Sequence, residues 1–171
     1  MTEPAIMQTA EHRTLVLGRT FEVPIQRVYS ALTDPLERAR LGASGDNFAL
    51  ILDASDVRIG GRDCFRFGLR GEPRLRGETV YHWIAVPSLI VATETIYAEA
   101  TCVSVAMVTH ELREHRDATD LKMTVQLLAL TDDEDLADEA GARHTALIDN
   151  LARHLGTPGR DQQRTFSRRR R

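Results

Sequence analysis

The chain of 171 residues is short of several things, and each shortage closes off a class of function. It has two cysteines, Cys64 and Cys102, each inside a strand-like run and at no zinc or redox spacing. They read as buried free thiols of a reducing compartment rather than as a disulfide. No apolar run approaches the roughly 18 residues of a membrane span. The opening MTEPAIMQTAEH lacks the basic and then apolar character of a secretion signal, so a cytoplasmic location is expected and a membrane partner is not. Net charge is only -3, so no whole-protein field is aimed at nucleic acid. There is no internal repeat. Metal spacing is missing as well: HELREH (110–115) places its histidines five apart in a strand-like segment, where the zinc-protease helix needs them four apart. His12, His82, His144 and His154 have no partner at ligand spacing, and TDDEDLADE (131–139) lacks the glycine and alternating acids of a calcium loop. No metal and no other cofactor is expected.

What the chain does have is alternation. Thr14–Val23 places Leu15, Leu17, Arg19 and Phe21 on one face of a half-buried strand. Pro24 stops it and suits the first turn of a helix carrying Ile25, Val28, Tyr29 and Leu32 at helical spacing. Asp34 is placed to cap a second short helix that has Pro35 at its first position. Six more strands follow at Phe48–Asp56, Asp63–Leu69, Arg76–Val86, Leu89–Tyr97, Thr101–Arg113 and Thr119–Leu130. The period then changes: Leu136, Ala140, Leu147, Ile148, Leu151 and Leu155 share a helix face, acids crowd the start and Gly156 closes it. Gly141 inside this helix is either a cost or a point where the backbone approaches the sheet. The fold class is α+β, a curved seven-stranded antiparallel sheet around a long C-terminal helix, with two short helices after the first strand. Residues 1–12 read as a flexible tail, 13–156 as the domain and 157–171 as a basic tail without structure.

Between the second and third strands the chain reads ASDVRIGGRDCFRFGLRG (54–71). A two-residue turn at Gly60-Gly61 mixes apolar and charged side chains on one face. A three-residue loop, Gly60 to Arg62, puts Val57, Ile59, Phe65 and Phe67 together, so the apolar pattern selects the odd loop. A phosphate cradle would need a helix after the glycines, and a strand follows.

Six segments in order carry a family resemblance: RTFEVPIQRVYSALTDP (19–35), DVRIGGRDCFRFG (56–68), VPSLIVATET (86–95), VTHEL (108–112), ATDLKMTVQ (118–126) and GARHTALIDNLARHL (141–155). They resemble the START-like helix-grip superfamily (SRPBCC), in the branch named for the activator of Hsp90 ATPase, over roughly residues 14 to 156. Such proteins often carry a tryptophan pair after the TDP segment and a tryptophan after the glycine of the last helix. Here the chain reads RARLGA and Ala142. The resemblance implies a cavity between the sheet and the long helix, which relatives use for lipids, polyketides, hormones or aromatic metabolites. Some relatives are cyclases and others bind or sequester a ligand.

Strand parity suggests what lines such a cavity. A turn near Ala98–Ala100 pairs Glu94 with Ser104, Ala92 with Ala106 and Ile90 with Val108. The next strand then pairs His110 with Met123 and Val108 with Val125. Leu121, Met123, Val125 and Leu127 form the inward face, so this register turns Glu94, Ser104 and His110 inward. The opposite register turns Val91, Thr93, Val103, Val105 and Met107 inward instead. Phe65, Phe67, Trp83, Leu147 and Leu151 complete the expected ligand-binding set. Tyr81 and Trp83 share a strand face and either floor the cavity, form a dimer surface or simply pack.

A buried Glu94 would have a raised pKa and could serve as acid or base. The bland alternatives are that it pairs with an arginine or lies at an open mouth, and that His110 is a satisfied core histidine. No nucleophile, base and orienting group assemble into a set, so catalytic residues stay unknown. The leading reading is binding of a small hydrophobic or aromatic ligand. The alternatives are a polyketide cyclase or dehydratase with Glu94 or His110 as acid–base, and an interaction module such as an Hsp90-type chaperone regulator. A homodimer stays open. RDQQRTFSRRRR (160–171) holds six arginines, but one short run without a folded basic face points to a solvated tail rather than to nucleic acid.

Overall fold

The computed structural model describes residues 10–42, 47–131, 134–156 and 161–169, the last of these as backbone alone. Strand β1 (Glu11–Phe21) leads into α1 (Ile25–Thr33) and α2 (Pro35–Leu41). Then come β2 (Phe48–Ser55), β3 (Arg62–Leu69), β4 (Glu72–Ala85), β5 (Leu89–Ala98), β6 (Thr101–His115) and β7 (Ala118–Ala129). Helix α3 (Glu134–His154) and β8 (Asp161–Arg169) close the chain. The strands form one antiparallel sheet in the order β2-β3-β4-β5-β6-β7-β1-β8, and α3 crosses it against β1 and β7. The expected seven strands and long helix are all present. Where a structureless basic tail was expected, Asp161–Arg169 adds an eighth strand along β1. The rest of that segment, and most of the expected N-terminal tail, lie outside the described residues.

Local chemistry explains the helix starts. The Asp34 carboxylate accepts the Leu36 and Glu37 N–H groups, each at 2.9 Å, with Pro35 at the first helical position. Pro24 is the N-cap residue of α1 rather than part of its first turn, and its carbonyl accepts from Arg27 at 2.9 Å. On β1, Leu15, Leu17 and Phe21 are buried, while Arg19 on the same face reaches Asp149 of α3 at 2.7 Å. Arg13 pairs with Asp138 and ties down the other end of the helix.

The glycine hairpin is longer than parity suggested. β2 ends at Ser55, opposite Asp63, and a bulge then sets Leu52 against Phe65 and Leu50 against Phe67. Val57 and Ile59 therefore leave the ladder, and Ile59 is exposed. The glycines serve the loop itself. Gly60 has φ +78° and donates to the Tyr81 carbonyl at 2.8 Å, and a Cβ on Gly61 would lie 2.2 Å from the Asp56 carbonyl oxygen. Gly141 has no such role, since a Cβ there would meet nothing within 4 Å. Cys64 and Cys102 are unpaired as expected but only half-buried.

The apolar interior comes in two clusters. The larger joins β1, α1, α3 and the centre of the sheet; the smaller holds Phe65, Phe67, Ile96 and Val103 under the β2–β3 end. A sheet this curved leaves a gap where the two clusters fail to meet, and the candidate site lies there.

Candidate functional site

The gap is a cavity of about 140 Å³. Phe65 and Phe67 wall it from the smaller cluster, and Ile90, Val108 and Met123 from the larger. Leu147 of α3 and Leu41 of α2 lie across from the sheet.

Of the residues expected from the sequence, Phe65, Phe67, Glu94, His110, Met123 and Leu147 line it. Val125, Leu127 and Leu151 point inward but are packed in the larger core, away from the cavity. Ser104 is buried and also outside it. Trp83 is a clear correction: it is 56% exposed. A bulge between Tyr81, opposite Ala92, and Trp83, opposite Val91, reverses the strand's facing. Tyr81 therefore lines the cavity while Trp83 stands on the outer surface, so the two do not share a face. The β5–β6 register also differs from expectation by two residues: Glu94 lies opposite Ala106 and Ile90 opposite His110. The two-residue turn after Ala98 and a one-residue shift between Ile96 and Tyr97 together cause this. Two is an even number, so Glu94, Ser104 and His110 still turn inward. The β6–β7 pairs His110–Met123 and Val108–Val125 stand as expected.

The polar equipment falls into two groups. In the first, Asp63 of β3 is wholly buried and takes Arg38 of α2 at 2.6 Å, the Tyr81 hydroxyl at 2.5 Å and the Asp56 N–H at 3.2 Å. Burial alone would raise the Asp63 pKa, but the Arg38 charge and these hydrogen bonds outweigh it and hold the group below its ordinary value. Burial pushes the Tyr81 hydroxyl well up.

In the second group, Glu94 of β5 takes the Arg143 guanidinium of α3 at 2.7 Å, and that guanidinium lies over the Phe67 ring at 4.9 Å. His144 Nδ1 donates to the Ala140 carbonyl at 2.7 Å, which leaves Nε2 as the acceptor of a neutral ring, 4.0 Å from Glu94. Burial opposes the Glu94 charge, yet Arg143, His144 and Arg38 together hold its pKa below the ordinary value. Of the alternatives the sequence left open for Glu94, pairing with an arginine is the one realised, and the raised pKa does not arise. Burial, His144 and Arg38 push His110 down to about 4, and burial with Arg143 lowers His144. Both rings are neutral at pH 7. His110 is not a satisfied core histidine, because its Nδ1 is closed off from solvent and has no partner.

Arg38, Asp63, Arg143 and His144 were not anticipated as site residues, and Tyr81 lines the cavity as one of the roles expected for it. His144 had a signal: it lies four residues after Ala140 and four before Ile148, so it occupies the apolar face of the helix. Among the described residues no three His, Cys, Asp or Glu side chains come together as a metal site, and no helix is long and apolar enough to cross a membrane.

The family model described as "Activator of Hsp90 ATPase homolog 1-like protein" matches residues 22–156. The chain belongs to this family. Among solved structures, an uncharacterized protein from Rhizobium leguminosarum is similar at 22% identity and a TM-score of 0.73, covering 88% of this chain and 99% of its own. Mll3558 from Rhizobium loti is 26% identical with a TM-score of 0.69, covering 85% and 98%. DynU16, a protein of the dynemicin biosynthetic locus, is 14% identical with a TM-score of 0.61, covering 84% of this chain and 47% of its own. These likenesses establish the helix-grip fold of this member of the family. No curated protein matches it.

Proposed function

We propose that this member of the family binds a small hydrophobic or aromatic ligand in the cavity between sheet and α3. The observation that carries the reading is an apolar cavity that is not filled by side chains and has neutral and ion-paired polar groups at its wall. An interior evolved only for stability would close such a gap, because empty volume forfeits dispersion and costs about 24 cal/mol per Å³. The place of DynU16 in a biosynthetic locus is in keeping with ligands of metabolite type.

The test is native mass spectrometry of the purified protein before and after mixing with a lipid and aromatic-metabolite extract. A retained mass that is lost on denaturation and weakened by Met123→Trp supports the reading. No added mass and no thermal shift across the extract would sink it in favour of a partner-binding role such as chaperone regulation.

A cyclase-like reading is favoured by one observation, the neutral His110 at the cavity wall. A neutral imidazole can take a proton, whereas Glu94 is held as a carboxylate by Arg143 and has no proton to donate. Turnover that rises as pH passes upward through His110's depressed value, and that His110→Gln abolishes, would establish it.

A further inference from the structure

The cavity wall also carries information about which ligand it takes; this step rests on the reading just given. Three features narrow the class. The first is size. About 140 Å³ is close to the volume that admits a benzene-sized body and well below the roughly 300–1,000 Å³ of drug-sized pockets. The second is charge. Each cation at the wall is already matched by a carboxylate of the chain itself, Arg38 by Asp63 and Arg143 by Glu94, and both histidines are neutral. A charged ligand would therefore enter without a counter-ion. The third is hydrogen-bond polarity. The Tyr81 hydroxyl is spent on Asp63, and His144 Nδ1 on Ala140. What remains is the Thr79 hydroxyl, which can donate or accept, and a lone pair on His144 Nε2, too far from Glu94 for a hydrogen bond; the unpartnered Nδ1 of His110 is closed off and out of a ligand's reach. A lone pair that no group of the chain meets suits a ligand that brings a donor.

We infer that the ligand is a neutral, single-ring aromatic compound carrying a hydroxyl, seated between Phe65, Phe67 and Met123 with its O–H donated to His144 Nε2. A phenol meets every condition: one ring, no charge at pH 7 and one O–H donor. Anisole has nearly the same shape and can accept but not donate. Benzoate adds a charge, and 2-naphthol adds a second ring.

The test is calorimetric titration of the full chain at pH 7 with phenol, anisole, benzoate and 2-naphthol. Phenol should bind about fivefold or more tightly than anisole, the margin of one net hydrogen bond. Benzoate and 2-naphthol should each bind at least about tenfold more weakly than phenol. His144→Leu is then titrated and should bring the phenol-to-anisole ratio close to one. The wild-type series decides the matter even if that variant fails to fold. Anisole equal to phenol, benzoate the tightest, 2-naphthol as tight as phenol, or a ratio unmoved by His144→Leu would each overturn the inference. If no one-ring compound binds but native mass spectrometry still shows a larger retained mass, this inference falls and the cavity reading stands. If neither experiment shows binding, both fall.

Discussion

Replacing Asp63 by asparagine should be among the most damaging single changes available in this fold. The carboxylate is fully buried and meets four donors: Arg38 at 2.6 Å, the Tyr81 hydroxyl at 2.5 Å, the Asp56 N–H at 3.2 Å and the Ser55 hydroxyl. Asparagine keeps the shape and one acceptor oxygen, enough for Tyr81 or the Asp56 N–H but not for both, and its amide presents N–H groups where Arg38 presents its own. Arg38 is left charged with only 18% of its side chain exposed. Breaking one side of a buried ion pair costs about 3–5 kcal/mol. Against a total stability of about 5–15 kcal/mol, that is a large share. At about 2–4 °C per kcal/mol for a chain of this size, the melting temperature should fall by roughly 6–20 °C.

Urea unfolding at pH 7 measures the loss, and two controls give it a mechanism. In the triple variant Arg38→Met, Asp63→Leu, Tyr81→Phe no charge is orphaned and only the Ser55 hydroxyl loses its partners, so it should be more stable than Asp63→Asn by about 2 kcal/mol or more. The pH dependence supplies the second control. Burial alone would raise the Asp63 pKa; Arg38 and the hydrogen bonds more than reverse this, so the folded value lies below the unfolded one of about 3.9. The stabilisation is then fully present above that pH and lost as pH falls through the depressed folded value. The gap between wild type and Asp63→Asn should therefore stay constant from pH 7 to about 5 and close in stronger acid. A gap under about 1 kcal/mol at pH 7, or one that widens in acid, would refute the account.

His110 should work with the same sign but in a milder range. Its pKa falls from 6.5 to about 4 on folding, so the unfolded chain binds the proton first and stability drops between those values as pH falls, at up to about 1.4 kcal/mol per unit. His110→Leu should flatten that slope in urea titrations at pH 7, 5.5 and 4.5, and an unchanged slope would contradict the burial of a neutral ring. Gly141→Ala should stabilise α3 by about 0.5–1 kcal/mol, because the added methyl meets nothing within 4 Å; a loss seen in thermal unfolding would mean that the glycine has a role in the backbone. Trp83 is the one tryptophan and stands exposed on the outer surface, so its emission should be quenched by acrylamide and should not change when a ligand fills the cavity. A ligand-dependent shift in emission would return Trp83 to the site.

The contrast between Trp83 and His144 shows what in this fold can be read from sequence. Alternation and helical spacing depend only on neighbours along the chain, so the buried face of β1, the apolar stripe of α3 and the inward parity of Glu94 and His110 were all legible. A bulge adds one residue to one strand and leaves no mark in the hydrophobic pattern, so Trp83, two residues beyond an inward tyrosine, was expected to face inward too. His144 was the reverse case. Its place on the apolar stripe marks it as buried, although it has no partner at metal-ligand spacing along the chain. Glu94 shows the deeper limit. Parity could say that it is inward, and burial by itself would raise its pKa. The charge that reverses the outcome comes from Arg143, 49 residues further along on another element. A carboxylate's burial is thus nearly local information, while its protonation state depends on tertiary structure. The chemical consequence is specific. With Glu94 held ionised by Arg143 and Asp63 by Arg38, neither carboxylate has a proton to donate at neutral pH, and the two neutral imidazoles can act only as bases.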